Sequence, residues 1–153
     1  MSCSLTPNSS HSGVCHSDFG VMTNSWSILP YPTQAGQVGG HEGVGKIVKL
    51  GPGTESAGVK VGDTVGVKWI SAICGNCPAC LEGSDGVCFN QKISGYYTPG
   101  TFQQYVLGPA NYVTPIPEGL EPAAAAPVLC AGVTVYSVSL KPFVHVSVRQ
   151  KHC

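Results

Sequence analysis

Four cysteines crowded into one short segment constrain this chain more than any other feature. Cys74, Cys77, Cys80 and Cys88 follow the pattern C-x2-C-x2-C-x7-C and make up half of the eight cysteines in the sequence. Neighbouring cysteines at this spacing make poor disulfides, because a bridge requires a restricted Cα separation and opposed Cβ vectors. Thiolates are preferred ligands of Zn²⁺, and four of them complete its tetrahedron without leaving a place for water. The spacing therefore predicts a structural zinc site in a lobe spanning residues 74–88.

Two other interpretations of the four cysteines stay open. The thiols could lie unliganded in a loop, although a lobe with so few apolar residues would then have little to hold it together. The C-x-x-C pattern also occurs twice, and it is the motif of redox-active dithiols. That motif normally lies between a strand and a helix in a βαβ unit, however, and no such unit surrounds it here.

Charge and composition limit the classes of partner. The 153 residues carry 8 basic and 8 acidic side chains, and Arg149 is the only arginine. No basic stripe is present, so neither nucleic acid nor a membrane surface is an expected partner. A zinc-ribbon nucleic-acid binder is disfavoured as well, since only Lys68 and Lys92 flank the cysteines. A 42% hydrophobic share with 20 glycines and 12 prolines predicts one turn-rich globular domain.

Targeting and membrane segments are not expected either. The first 13 residues lack the basic and apolar regions of a secretory signal. The one membrane-like stretch, Ala123 to Leu140, contains Pro127, Gly132 and several hydroxyl side chains, which favours a buried helix over a membrane span. These features predict a soluble, cytoplasmic protein.

The order of the predicted elements indicates a mainly β, barrel-like domain with one helix near its C-terminal end. Residues 1–12 are polar and do not resemble strands. Pro127 is expected in the first turn of the predicted helix, where a missing N–H costs little. The segments rich in β-branched or aromatic residues are the predicted strands: Val44–Leu50, Thr64–Ile70, Thr101–Leu107 and Tyr112–Ile116.

A second set of metal-ligand side chains is scattered, and spacing alone does not unite it. Cys15, His41 and Cys130 lie far apart in the sequence. Taken alone, Cys15 is best interpreted as a small buried apolar residue and His41 as a loop histidine. Gly39 and Gly40 before His41 and the carboxylate of Glu42 after it raise the alternative of a metal site.

Five motifs in order resemble a known family. GVCHSD, GGHEGVG, VGDTVGVKW, CGNCPACLEGSDGVC and APVLCAGVTVYSVSLKP look like the zinc-dependent alcohol dehydrogenases of the medium-chain dehydrogenase/reductase superfamily, and most of all like the fungal, yeast-type enzymes. The resemblance runs from Gly13 to Pro142. It implies a GroES-like, partly open β-barrel that carries the four-cysteine lobe as its structural zinc site.

The resemblance also implies a catalytic zinc site. Its three ligands would be Cys15, His41 and Cys130, with a fourth position open to water or an alcohol. Glu42 matches a carboxylate that can act as a transient ligand. Asp18 matches a carboxylate that orients the zinc-binding histidine.

Further positions match the family's substrate and cofactor site. Ser17 corresponds to the hydroxyl that relays the alcohol proton. Trp26 and Trp69 correspond to walls of a narrow pocket for short primary alcohols, although both could be ordinary core residues. His16 corresponds to a residue near the phosphates of the cofactor, or else it is a surface neighbour of the site.

The chain also departs from the family pattern. Residues 1–12 match none of the family's opening strands, and the tail at 143–153 is unmatched as well. Gly20 stands where many relatives have a histidine that completes the proton relay. No G-x-G-x-x-G follows Pro142, so the Rossmann domain that binds the dinucleotide is expected to be absent.

These departures shape the expected function. The chain is expected to be the zinc-binding catalytic domain, residues 13–142, of an enzyme that oxidises short primary alcohols to aldehydes with NAD. It is expected to be truncated and inactive alone, because hydride transfer requires a positioned acceptor. One alternative is an oxidoreductase completed by another chain, such as a full-length homologous subunit. The other is a zinc-stabilised binding module without catalysis.

Overall fold

A five-stranded antiparallel sheet forms the centre of the molecule. The computed structural model describes residues 3–140, and the predicted tail at 143–153 lies outside this range. The sheet has the strand order β6-β1-β2-β3-β7. Its strands are β1 (Cys3–Ser12), β2 (Gly43–Leu50), β3 (Thr64–Val67), β6 (Val106–Gly108) and β7 (Thr114–Pro115). A second, two-stranded sheet pairs β4 (Ile70–Ala72) with β5 (Lys92–Ile93).

The prediction that residues 1–12 form no strand is wrong for Cys3–Ser12. This segment pairs antiparallel with β2 on one side and with β6 on the other. Its sequence, CSLTPNSSHS, is polar and contains a proline, so neither alternation nor β-propensity indicates a strand. Two neighbouring strands supply the hydrogen-bonding partners instead, and register shifts accommodate the irregular stretch between Thr6 and His11.

The hairpin of β2 and β3 carries the main apolar core. Val44 to Leu50 was predicted as a strand and lies within β2, while the predicted strand Thr64–Ile70 is divided into β3 and the start of β4. Gly62 turns the chain before β3 with a φ of +95°, and its N–H donates to the carbonyl of Ile47 at 2.8 Å. The buried side chains packed around this hairpin are Ile47, Val65, Val67, Val106 and Ala110.

Two predicted strands are shorter in the structure than in the sequence analysis. The predicted strand Thr101–Leu107 overlaps β6 (Val106–Gly108) only in its last two residues, because residues 101–105 bend across the loop that precedes His41. Of Tyr112–Ile116, only Thr114–Pro115 pairs with β3. Both segments lie at edges of the sheet, where few partners are available.

The predicted C-terminal helix is present, but its interior differs from the expectation. It comprises α3 (Pro122–Pro127), a π-helical turn (Val128–Gly132) and α4 (Val133–Leu140). Pro122, rather than Pro127, occupies the first turn. Pro127 lies inside the helix, where it lacks the N–H of a normal i→i−4 bond, and the wider π turn follows it directly.

This helix is buried only along its first half, which corrects the expectation of a buried helix. Ala125, Ala126 and Leu129 pack with Val44 of β2, whereas Val135 and Tyr136 are 65% and 64% exposed. By length and composition, Pro122–Ser139 could cross a membrane, a test that core helices of soluble proteins also pass.

Two short helices lie between strands in the chain, one between β1 and β2 and the other between β4 and β5. Helix α1 (His16–Met22) follows the GVC motif, and α2 (Pro78–Leu81) lies within the four-cysteine lobe together with a 3₁₀ turn at Asp85–Val87. All pairings between strands in residues 3–140 are antiparallel. The mainly β fold with a C-terminal helix confirms the predicted class, and within these residues there is no parallel sheet of the dinucleotide-binding kind.

Candidate metal centres

The four-cysteine lobe is built by tight turns on either side of α2. Gly75 and Gly83 adopt φ values of +71° and +74°, conformations that residues with a side chain rarely take. The backbone of Cys77 precedes α2, and Pro78 occupies its first turn. The 3₁₀ turn at Asp85–Val87 then returns the chain so that Cys88 lies with the other three thiols.

The four sulfur atoms are spaced as a tetrahedral zinc site requires. The Sγ atom of Cys77 lies 3.5 Å from that of Cys80 and 3.9 Å from that of Cys88, and Cys88 lies 3.6 Å from Cys74. Four thiolates at about 2.3 Å from one ion are about 3.8 Å apart. All four thiols are free, so the donor set fits Zn²⁺.

Hydrogen bonding within the lobe favours thiolate formation. The backbone N–H of Asn76 is the main cause that lowers the pKa of the Cys74 thiol to about 6. The backbone N–H of Cys80 likewise lowers the pKa of Cys77. Burial, followed by the neighbouring thiol of Cys77, raises the pKa of Cys80 to about 12. The lobe therefore supplies at least one ready thiolate, the form that binds metal.

A second cluster brings together residues from three distant parts of the chain. Cys15 precedes α1, His41 and Glu42 precede β2, and Cys130 lies in the π-helical turn. Their ligand atoms all lie within 4.8 Å of one another. The His41 Nε2 atom is 3.3 Å from the Cys130 Sγ atom, which is 3.9 Å from the Cys15 Sγ atom. His41 and Glu42 are buried, and the set of two thiols, one imidazole and one carboxylate fits a zinc ion.

Asp18 holds the second cluster in place through three hydrogen bonds. Its carboxylate accepts the backbone N–H of Cys15 at 2.9 Å and that of Gly40 at 3.2 Å. It also lies 2.8 Å from the Nδ1 atom of His41. Because Nδ1 is engaged, Nε2 is the ring nitrogen left to face Cys130 and a metal.

The pKa values of this cluster follow from burial and from these bonds. Burial alone would raise the pKa of Asp18 and lower that of His41, but their mutual hydrogen bond and charge reverse both shifts. Burial would also raise the pKa of Cys15, yet hydrogen bonds with Ser17 lower it. Burial and the neighbouring Cys15 raise the pKa of Cys130 to about 12. These shifts move Asp18, His41 and Cys15 toward their charged forms and Cys130 toward its neutral thiol.

A close crossing of backbones sets the position of His41. The loop at Gly39 and Gly40 runs against Gly95 and Gly100, and the Gly100 N–H donates to the carbonyl of Val38 at 2.7 Å. A Cβ atom on Gly100 would lie 2.5 Å from the carbonyl carbon of Gly39 and closer still to two carbonyl oxygens. Gly95 and Gly100 are not among the predicted site residues, although the motif SGYYTPG that contains them is itself a turn signal.

Trp69 lies beside His41, and Trp26 lies beside Trp69. The ring of Trp69 packs edge-on against His41, with 4.9 Å between centroids, and against Trp26 at 5.6 Å. Trp26 is 37% exposed. The three rings thus form a row of edge-on contacts, with His41 at its buried end and the partly exposed Trp26 at the other.

The remaining predicted residues lie close to the second cluster. The Ser17 hydroxyl is 3.5 Å from the Sγ atom of Cys15. His16 is exposed, and its ring lies 5.9 Å from that of Phe19. Both belong to the first turn of α1, directly after Cys15.

Comparison with known proteins assigns the chain to a family. The model of the alcohol dehydrogenase GroES-like domain matches residues 8–118. The chain belongs to the zinc-dependent alcohol dehydrogenase family. The predicted GroES-like fold and family are thereby confirmed.

Individual relatives match only part of their length. Alcohol dehydrogenase 2 of Emericella nidulans is 76% identical over 134 residues, which cover 88% of this chain and 36% of that protein. The alcohol dehydrogenase of Schizosaccharomyces pombe is 42% identical over 84% of this chain and 35% of its own length. The chain therefore spans about a third of the length of the curated relatives it matches.

Solved structures agree with this assignment. A cinnamyl alcohol dehydrogenase from Sorghum bicolor superposes with a TM-score of 0.75 at 34% identity, over 90% of this chain and 39% of that one. CAD from Helicobacter pylori, solved with NADP(H), gives a TM-score of 0.74 at 26% identity, over 90% of this chain and 40% of that one.

Proposed function

We propose that the chain is the zinc-binding catalytic domain of an enzyme that oxidises short primary alcohols to aldehydes with NAD. Cys15, His41 and Cys130 would hold the catalytic zinc, and Cys74, Cys77, Cys80 and Cys88 would hold the structural one. The convergence of four ligand-type side chains from three distant segments, with Asp18 on His41, supports the proposal most directly. Zinc bound at the first site would polarise an alcohol oxygen and lower the pKa of its hydroxyl group.

The chain's own residues would bind and orient the substrate. Trp26 and Trp69 would form a narrow apolar wall that admits short alkyl chains and excludes water. The Ser17 hydroxyl, beside Cys15, would take the alcohol proton. Asp18 would fix the imidazole of His41, and Glu42 would serve as an alternative ligand when the substrate leaves.

This chain would contribute one residue, His16, to the cofactor-binding site. His16 is exposed at the start of α1, where it would contact the phosphates of the dinucleotide. Gly20 offers no side chain to continue a proton relay, so the proton would leave Ser17 through water or a cofactor hydroxyl. The 153 residues alone would not turn over alcohol, since hydride transfer requires an acceptor held near the substrate carbon. Association with a full-length homologous subunit, in the cytoplasm, would supply one.

A chimeric enzyme tests this function. The matched residues of this chain would replace their counterparts in Alcohol dehydrogenase 2 of Emericella nidulans, to which they are 76% identical. The chimera is expected to reduce NAD with ethanol, whereas the same chimera with His41→Ala should lose activity by at least about 1,000-fold. A stable, zinc-loaded chimera without alcohol-dependent NADH formation would contradict the proposal.

The isolated chain provides the complementary test. Purified protein is expected to give no NADH from ethanol and NAD, and robust turnover would refute the proposed need for an acceptor-binding partner. If the chain instead bound one zinc and left Cys15 and Cys130 open to alkylation, the alternative of a zinc-stabilised binding module would be favoured.

A further inference from the structure

The four-cysteine lobe and the three residues that follow it, residues 74–91, make one hydrogen bond to the rest of the described chain. Residues 74–91 otherwise form their hydrogen bonds among themselves. The exception is the Tyr112 hydroxyl, which donates to a carboxylate oxygen of Asp85 at 2.6 Å. The lobe's large apolar side chains, Leu81, Val87 and Phe89, are 63–79% exposed and do not anchor it by burial.

The sheet end of this contact is firmly held. Lys68 lies under Tyr112, with its Nζ atom 3.8 Å from the ring centroid and 2.7 Å from the backbone carbonyl. The same ammonium group donates to the Thr114 hydroxyl at 3.2 Å. The Lys68 carbonyl in turn accepts the hydroxyl of Ser94, which is 2% exposed, at 2.8 Å. Tyr112, two residues before β7, is therefore held against the ends of β3 and β7 through Lys68.

On the lobe side of this contact, Asp85 is hydrogen-bonded to one of the four cysteines, Cys88. Asp85 begins the 3₁₀ turn, and the backbone N–H of Cys88 donates to the Asp85 carbonyl at 3.0 Å. The Cys88 side chain is 1% exposed and touches the sulfur atoms of Cys74 and Cys77. A displacement of Asp85 would therefore displace the thiol cluster.

We propose that Tyr112 and Asp85 are the positioning pair that fixes the four-cysteine lobe on the sheet, with Lys68 as the support beneath Tyr112. A hydrogen bond to a charged carboxylate is the stronger kind, and the nearby ammonium group of Lys68 reinforces it by attraction. The proposed role of this pair concerns the position of the lobe, so it does not depend on whether this protein oxidises alcohols.

Hydrogen–deuterium exchange of the full chain, resolved by peptide, tests the pair. Tyr112→Phe removes only the hydroxyl and keeps the ring over Lys68. Exchange in residues 74–91 is expected to rise about tenfold, while β2 keeps its protection. Asp85→Asn should act in the same way, and the double variant should exchange no faster than the faster single one. Tyr96→Phe is the matched control, because its hydroxyl bonds only the backbone of Tyr31, outside the lobe.

Three results would overturn the proposal. The first is unchanged exchange of residues 74–91 in Tyr112→Phe. The second is an additive effect in the double variant, which would show that the two side chains act separately. The third is a rise spread equally over β2, since this indicates a general loss of stability. Zinc content, measured on the same samples, reports separately on the metal sites. A lobe without zinc would refute the proposed structural zinc site, and the exchange comparison between the variants would still be valid.

Discussion

Replacing Gly100 by alanine tests whether backbone packing positions His41. The new Cβ atom would lie 2.5 Å from the carbonyl carbon of Gly39, inside the 3.0 Å limit that real Cβ atoms respect. Since the obstacle is backbone, the loop that leads to His41 must move by at least about 0.5 Å. That exceeds the tolerance of about 0.2 Å for metal–ligand distances. Overpacking of this kind costs about 1–3 kcal/mol, which corresponds to a fall in Tm of about 2–12 °C.

Two measurements follow the effect of Gly100→Ala. Differential scanning calorimetry reports the Tm, and competition with a chromophoric chelator reports zinc affinity at each cluster. We expect the affinity of the cluster at His41 to fall at least about tenfold while that of the four-cysteine lobe is retained. Gly86→Ala is the matched control, because a Cβ atom there meets nothing within 4 Å and φ is ordinary. If Gly100→Ala behaved like Gly86→Ala in both measurements, the proposal that backbone packing at Gly100 positions His41 would be refuted.

Three further predictions concern the second cluster. Asp18→Asn should weaken zinc binding at His41 by about 10–100-fold in the same chelator competition, and unchanged affinity would show that Asp18 does not orient the imidazole. Leu129→Ala should lower the free energy of unfolding in urea by about 2–5 kcal/mol, because Leu129 is 6% exposed and anchors the turn that carries Cys130. Val135→Ala, at an exposed position, is its control and should change this energy by less than about 0.5 kcal/mol. In the metal-free chain, pairing raises the pKa of His41 and lowers that of Asp18 despite burial, so the pair stabilises most between about pH 4 and 6.5. Its contribution is lost as pH rises through the raised pKa of His41 or falls through the lowered pKa of Asp18, and a pH profile of Tm that is identical in Asp18→Asn would contradict this.

The spacing of the cysteines is enough to predict the metal site of the four-cysteine lobe. The cluster at His41 is predicted only by the family resemblance. The four lobe cysteines lie within fifteen residues, and turn residues between them permit the required bends. Cys15, His41 and Cys130 instead meet through long-range pairing of β2 and packing of the C-terminal helix. Nothing in the spacing encodes that meeting, so the spacing alone favours a buried apolar residue for Cys15 and a loop histidine for His41.

The fold predictions failed where tertiary partners outweigh local preference. Cys3–Ser12 is a strand because β2 and β6 flank it, although its own sequence is polar. The segment Thr101–Leu107 has strand-like residues, yet its first residues hydrogen-bond to the loop at Gly39 and Gly40 instead of to a strand. Pro127 lies inside a helix and a π turn follows it directly, an arrangement that propensity does not predict.

Zinc stoichiometry of the purified chain tests the two-site account most directly. Plasma mass spectrometry should find two zinc ions per chain in the wild type and one in each of His41→Ala and Cys77→Ser. When cobalt replaces the remaining ion in His41→Ala, the bound Co²⁺ should show the charge-transfer spectrum of a site with four thiolates. No zinc in the wild type, or a single ion that His41→Ala does not remove, would contradict the assignment of two separate metal centres.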